Sequence, residues 1–381
     1  MIPYGAHDIS ELDIEGVVDV LKSGLLTQGD KVPAFEQALQ NYTNASYAVA
    51  VNSGTSALHI ACLALGVENG DIVWTTPNTF VASANCARYC GADVDFVDID
   101  PATRQICIES LKHKLLVAKE FNKLPKVLVV VHFAGHMCNM KAIAELVNQF
   151  GVKLIEDAAH ALGASYLGQY KGGCPAYSDI TVLSFHPVKS ITTAEGGAAL
   201  TNNKALAHLL RLFASHGITK DSQNFVSNSV AAAHYEQQVL GFNYRLSDVH
   251  AALGIMQLKR LDKFVEKRAA LAARYDEELK DLPITLPQFD PFSAWHLYVI
   301  ELNHHDRDAC FEALRAKGLG VNIHYIPVHW HPYYQQLGFT KGQFPHSERY
   351  YLNAITLPLF PALTADNQQY VINALREVLR D

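Results

Sequence analysis

The chain has 381 residues, 49% hydrophobic and 18% charged, and at roughly 100–200 residues per domain this suffices for two to three packing units with a sizeable core. Its 38 acidic and 31 basic residues give a formal net charge of −7, so it lacks the overall positive field that nucleic acid or an anionic membrane would draw on. No stretch reaches the roughly 18–20 uninterrupted apolar residues of a membrane helix, and Met1-Ile2-Pro3-Tyr4 lacks the basic-then-apolar layout of a signal peptide; a cytoplasmic protein is expected.

From residue 45 to residue 201 short apolar runs alternate with segments of helical period, the pattern of βαβ units and a mostly parallel sheet. Strands are predicted at Tyr47–Val51, Val94–Val97, Val127–Val131, Lys153–Ile155 and Ile180–Phe185. Helices are predicted at Thr55–Leu65, Phe80–Tyr89 and Met140–Phe150, with Gly66, Gly91 and Gly151 placed for left-handed caps. The stretch from about His216 to Gly241 is the least periodic part of the first two-thirds and reads as a loop. One long helix is predicted from Ser247 to about Leu282, with Ser247 as its N-cap and Asp248 suited to the positive helix end. After Pro283, Pro287 and Pro291 the pattern gives strands at Trp295–Leu302 and Val321–Tyr325 and helices at Arg307–Ala316 and Thr364–Leu379. This is an α/β chain with a large domain over 1–246 and, over 247–381, a linking helix and a smaller α+β domain.

The seven cysteines, Cys62, Cys86, Cys90, Cys107, Cys138, Cys174 and Cys310, are odd in number and lack CxxC spacing, as expected of reduced core thiols. Among the 18 histidines, His132, His136, His324, His329 and His331 invite a metal reading. There is no HExxH and no acidic partner at ligand spacing, so no metal is expected.

Three segments carry chemistry. In Asn52-Ser53-Gly54-Thr55-Ser56-Ala57-Leu58 a strand ends in a small-residue turn that opens a helix, a geometry that offers free amides and a positive dipole to a phosphate. A capped turn without a ligand has the same sequence. In Lys153-Leu154-Ile155-Glu156-Asp157-Ala158-Ala159-His160 a carboxylate stands at the C-terminal end of a buried strand, where α/β ligands bind. Ala158-Ala159 leaves room for a flat ring, so Asp157 is either the partner of a pyridinium nitrogen or the cap of the next helix. In Ser184-Phe185-His186-Pro187-Val188-Lys189 a lysine follows a short apolar strand. Partly desolvated, Lys189 becomes a usable amine for a Schiff base, and in water it is an ordinary solvated lysine. Ser184 can reach a phosphate, and Gly196-Gly197 permits close backbone approach. The three features together, in this order, point to pyridoxal 5′-phosphate, which is held by a lysine and an acid at its ring nitrogen.

The segments Leu26-Thr27-Gln28-Gly29, Ser53–Leu58, Glu156–His160, Ser184–Lys189, Glu195-Gly196-Gly197 and Gly241-Phe242-Asn243-Tyr244-Arg245-Leu246-Ser247-Asp248 resemble the DegT/DnrJ/EryC1/StrS sugar-nucleotide aminotransferases nearly end to end. The resemblance implies the fold-type-I, aspartate-aminotransferase-like architecture. It makes Lys189 the Schiff-base lysine and Asp157 the ring-nitrogen partner. Thr55, Ser56 and Ser184 fall where the family holds phosphate, Phe80 where an aromatic stacks on the ring, and His160 beside the ring. Phe80 reads equally as a core aromatic. Asn243 matches an asparagine that the family donates from the neighbouring subunit, which implies a homodimer with shared active sites. The sugar nucleotide falls to Tyr4, Gly24-Leu25-Leu26-Thr27 and His324-Tyr325-Ile326-Pro327, residues that otherwise read as packed strand ends; His329, His331, Tyr333 and Tyr334 extend the same wall. Ser190 stands where proline or asparagine is expected, a departure that affects the local turn.

Within the family, Ser184–Gly197 is most similar to enzymes that aminate C4 of a UDP-4-keto-6-deoxy-N-acetylhexosamine. Their product is UDP-4-amino-4,6-dideoxy-N-acetyl-β-L-altrosamine, for pseudaminic acid, with L-glutamate as amino donor. A similar lysine motif occurs in the aminoarabinose branch, and C3-aminating relatives exist. Two other readings share the fold. A related sugar dehydratase has histidine in place of the lysine, and a non-catalytic binder would not need Lys189, Asp157 and Ser184 together.

Overall fold

The computed structural model describes residues 1–227 and 233–380. Residues 228–232, inside the stretch predicted to be a loop, lie outside the described residues, as does residue 381. A seven-stranded sheet forms the centre, in the order Tyr47–Val51, Gly197–Thr201, Ile180–Ser184, Lys153–Asp157, Val127–Val131, Ile72–Thr75 and Asp93–Phe96. Only Gly197–Thr201 runs against the others.

Side chains alternate across this sheet with the period of a strand. Val49, Val51, Val127, Val129, Ile180 and Val182 enter one core with Leu58, Ile60 and Cys62. Ala48, Ala50, Leu183, Ala198 and Leu200 enter the opposite core with Phe35 and Leu39, and Leu128 and Val130 join Trp74, Leu111 and Ile143 in another. With both faces covered, ligand access is left at the strand ends.

Two predicted strands match to the residue, Tyr47–Val51 and Val127–Val131. The others shift by one or two residues, to Asp93–Phe96, Lys153–Asp157 and Ile180–Ser184. Ile72–Thr75 and Gly197–Thr201 were not predicted: the first is four residues long, and the second, Gly-Ala-Ala-Leu-Thr, is mostly small residues of weak strand preference. Before the sheet come α1 (Glu11–Lys22) and α2 (Lys31–Thr43). The predicted Thr55–Leu65 helix is α3 (Gly54–Ala64), and the predicted Phe80–Tyr89 helix is α4 (Ala82–Tyr89), which starts two residues late and leaves Phe80 on the preceding turn. Gly66, Gly91 and Gly151 have φ of 75°, 76° and 70°, the left-handed caps expected of them.

The single long helix expected after Ser247 is two, Asp248–Leu258 and Leu261–Leu279. At the break Arg260 pairs with Asp8 and, at 2.8 Å, with the fully buried Asp13, while Gln257 donates to the same Asp13 oxygen at 3.0 Å. Ser247 is the N-cap, as expected. Asp248 does more than face its own helix dipole, because its carboxylate accepts the amides of Gly29, Lys31 and Val32 and so caps α2. In the C-terminal part the predicted strand Trp295–Leu302 forms only over Tyr298–Leu302. Val321–Tyr325 is no strand: one isolated bridge joins Asn322 to Thr356, and the paired residues are Leu319–Gly320. The helices Arg307–Ala316 and Ala365–Val378 form as predicted, the second capped by Thr364.

We propose that the two domains, 1–246 and 247–381, are linked by this helix pair. Ala251, Leu258, Leu261 and Phe264 pack with Phe35 and Leu39, whereas Ala272, Tyr275 and Leu279 pack with Tyr298, Leu314, Ile355 and Val371. The chain start joins the C-terminal part as well, since Ile2–Pro3 pairs in parallel with Leu319–Gly320. That strap brings Tyr4 beside residues 322–325.

Candidate active site

A cavity of about 450 Å³ opens where the C-terminal ends of the parallel strands meet the 322–325 segment. Its floor is built by close backbone approach. A β-carbon on Gly197 would lie 2.5 Å from the Ser53 carbonyl and 2.6 Å from the Gly54 nitrogen, and one on Gly54 would lie 2.9 Å from Ser184 Cβ. Only glycine at both positions lets Ser184 stand against the first turn of α3. There Ser53 is the N-cap and its Oγ accepts the Ser56 amide at 3.0 Å. The first amides of a helix have no intrahelical acceptor, so those of Gly54 and Thr55, both in the cavity lining, remain for an anion beside the Ser184 hydroxyl.

On the next strand end stands Asp157, 6% exposed. One of its oxygens accepts the Ser83 hydroxyl at 2.7 Å and the other accepts the Ala159 amide at 3.1 Å. Asp157 caps no helix, because residues 159–163 form only turns. Lys189 follows the adjacent strand end and is partly buried; burial holds its amine down to about 8, with the Asp157 charge pulling the other way. Across the cavity three imidazoles cluster. Burial, followed by the Lys189 charge and then His324, keeps His160 well below the ordinary histidine range. Burial and the neighbouring positive groups do the same for His296, and burial with Lys189 takes His324 down to about 3. His160 Nδ1 accepts the Ala134 amide at 3.3 Å, which assigns the ring hydrogen to Nε2, and Nε2 lies 3.1 Å from the Tyr325 hydroxyl.

The cavity thus brings together Tyr4, Thr55, Phe80, Asp157, His160, Ser184, Lys189, His324 and Tyr325 of the residues singled out in the sequence. Phe80 is 57% exposed, so it is no core aromatic. The remaining sequence candidates lie elsewhere. Ser56 is buried behind the lining, its hydroxyl spent on Asn52 at 2.6 Å. Gly24-Leu25-Leu26-Thr27 form an exposed loop after α1, Asn243 is exposed at an isolated bridge to Ser215, and Ile326 and Pro327 pass outside the lining. The tail of the expected wall also lies outside the lining: His329 is fully buried against Glu348 and Tyr334 donates to Asn85, while Tyr333 is exposed. Sequence reasoning missed Thr79, Ser83, His186, Glu195 and Asn322 in the lining. The signal for the first two was the turn after Ile72–Thr75, a strand the pattern did not reveal.

A covered α/β sheet with a phosphate cradle, a strand-end carboxylate and a depressed lysine at one cavity defines a pyridoxal-phosphate-dependent aminotransferase. Residues 7–376 match the DegT/DnrJ/EryC1/StrS aminotransferase family, and the chain belongs to that family. It is 38% identical over 387 residues, covering 100% of this chain and 98% of the relative, to a Campylobacter jejuni protein named UDP-4-amino-4,6-dideoxy-N-acetyl-β-L-altrosamine transaminase. Among solved structures, a putative sugar aminotransferase of Streptococcus pneumoniae in its PMP-form superposes with a TM-score of 0.92 at 28% identity, covering 100% of this chain and 99% of that one. Helicobacter pylori PseC, described as an aminotransferase involved in the biosynthesis of pseudoaminic acid, does so at 0.90 and 30%, with 100% and 99% covered. Pyridoxal phosphate is accordingly the cofactor, and the cradle that a β-carbon at Gly54 or Gly197 would fill fits its phosphate. Among the described residues no helix is long and apolar enough to cross a membrane, and no group of three or more His, Cys, Asp or Glu is placed to hold a metal.

The depressed lysine has a measurable sign. Below about 8 most of the Lys189 amine is protonated and unreactive, so uptake of pyridoxal phosphate by the apoprotein should quicken about tenfold per pH unit on approach to that value and level off above it. Stopped-flow absorbance measures this. A rate still climbing toward 10.5, the value of an ordinary lysine, would contradict the assignment.

Proposed function

We propose that this aminotransferase carries the amino group of L-glutamate to C4 of a UDP-4-keto-6-deoxy-N-acetylhexosamine, giving UDP-4-amino-4,6-dideoxy-N-acetyl-β-L-altrosamine for pseudaminic acid. The observation that carries this reading is the 38% identity, along essentially the whole of both chains, to the relative named for that product. The cavity supports it. Opposite the phosphate cradle, Tyr4, His324 and Tyr325 offer apolar bodies with polar tips, suited to a uridine ring and sugar oxygens.

When bound, pyridoxal phosphate supplies an electron sink for the charge that develops on carbon as the amino group changes hands. In this reading the chain holds the cofactor's phosphate with the Gly54 and Thr55 amides and the hydroxyls of Thr55 and Ser184, flanks the ring with Phe80 and His160, and keeps the ring nitrogen protonated by accepting its N–H hydrogen bond on the Asp157 carboxylate. With its amine near 8, Lys189 loses its proton readily enough near neutrality to act as a base. It takes the proton from the donor's α-carbon and later gives one to C4 of the sugar. Because burial keeps His160, His296 and His324 uncharged, they add no positive charge that would depress the lysine further.

The reading includes a homodimer with shared sites. Among the described residues lining the cavity, Lys189 is the one lysine or arginine, which leaves a diphosphate substrate to find cations elsewhere. Asn243 and the Gly24–Thr27 loop lie outside the lining of their own cavity and are exposed, Leu25 and Leu26 by 60% and 51%; pairing of two copies would let them serve the partner's site. All seven cysteines are free thiols, which suits a reducing cytoplasm.

Incubation with pyridoxal phosphate, glutamate and separate UDP-4-keto-6-deoxy sugars, with products identified by mass and NMR, tests the substrate. The expected result is amination at C4 of the L-arabino N-acetyl keto sugar, lost in Lys189→Ala by at least about a thousandfold; amination only of another keto sugar would overturn the assignment. For the shared site, a mixed dimer with Lys189→Ala on one chain and Asn243→Ala on the other should keep one unaltered site. That dimer should show about half of wild-type activity; activity at about half that of the Asn243→Ala parent, as two half-altered sites give, would contradict a trans contribution from Asn243.

A further inference from the structure

Beside Asp157, in the cavity wall, lies a short chain of hydroxyls. Ser83 Oγ is 2.7 Å from one Asp157 oxygen, and Thr79 Oγ1 is 2.8 Å from Ser83 Oγ. Ser83 and Thr79 are 1% and 2% exposed. A carboxylate only accepts, so the single Ser83 hydrogen goes to Asp157, and Thr79 must be the donor to Ser83. The direction of the chain is thereby fixed, Thr79 to Ser83 to Asp157. The other carboxylate oxygen is held by the Ala159 amide at 3.1 Å.

Thr79 stands in the turn before α4 and Ser83 in the helix's first turn, where the Ser83 amide donates to the Phe80 carbonyl at 3.2 Å. One side chain therefore ties the turn that presents Phe80 to the cavity to the carboxylate at the cavity's inner end.

We propose that Ser83, backed by Thr79, is a positioning residue that holds the Asp157 carboxylate aimed at the ring nitrogen of pyridoxal phosphate while fixing the Phe80 turn in register with it. This rests on the assignment of Asp157 to that nitrogen, and the test separates the two claims.

Pyridoxal phosphate is titrated into apoprotein of wild type, Ser83→Ala, Ser83→Thr, Asp157→Asn and the double variant Ser83→Ala/Asp157→Asn, reading the apparent Kd and the absorption maximum of the bound cofactor. Circular-dichroism melting of each apoprotein confirms the fold. Ser83→Ala should bind the cofactor about tenfold more weakly, as expected for loss of a charge-assisted hydrogen bond, and its absorption maximum should move in the direction set by Asp157→Asn. Ser83→Thr, which keeps the hydroxyl, should restore both. The double variant should be no worse than Asp157→Asn alone, because the hydroxyl acts through the carboxylate. A wild-type spectrum and Kd in Ser83→Ala, or full additivity in the double variant, would overturn the role of Ser83. An unchanged spectrum in Asp157→Asn would overturn the Asp157 assignment and this inference with it.

Discussion

Two opposite charges stand at the ends of adjacent strands, Asp157 nearly out of water and Lys189 partly so. Removing charge from water is costly, and the cost is met by partners of opposite sign, by hydrogen-bond donors or by a change of protonation. Asp157 takes the first two routes, through Ser83, the Ala159 amide and the nearby lysine. Lys189 takes the third in part, its amine brought down to about 8. The surrounding histidines follow from the same constraint, since further positive charge beside Lys189 would raise the cost again.

The scaffold makes this arrangement possible by spending both sheet faces on packing. Apolar side chains alternate into cores on either side, so the backbone groups and polar side chains that remain available are those at the strand ends. Glycine then sets how near the elements approach: without a β-carbon at Gly54 and Gly197, Ser184 and the α3 terminus close into one anion-binding floor. The opposite wall is supplied by the C-terminal part, and the Ile2–Pro3 strap adds Tyr4 to it.

The sequence made the parts that depend on local pattern legible. Strands long and apolar enough to be buried on both faces stood out, and with them the addresses of Asp157, Ser184 and Lys189 at the strand ends. What tertiary pairing decides was not legible. Nothing in the periodicity from 247 to 282 marks the break at Arg260, because the break answers to Asp8 and Asp13 at the other end of the chain. Thr79 and Ser83 had no visible address, since the strand before them is short, and the wall around Tyr4, His324 and Tyr325 came from family resemblance, its position depending on a strap between the chain's start and residues 319–320. Ser56 shows the opposite error: it stands in the phosphate-turn motif, yet its hydroxyl closes the turn from behind.

The central claim is that Lys189 is the amine poised to join the cofactor. Loading the protein with pyridoxal phosphate, reducing it with borohydride and mapping the modified peptide by mass spectrometry tests it most directly. The account predicts one stoichiometric adduct on Lys189, in the segment that follows Ile180–Ser184. An adduct spread over surface lysines, or fixed on any other lysine while Lys189 stays unmodified, would contradict it.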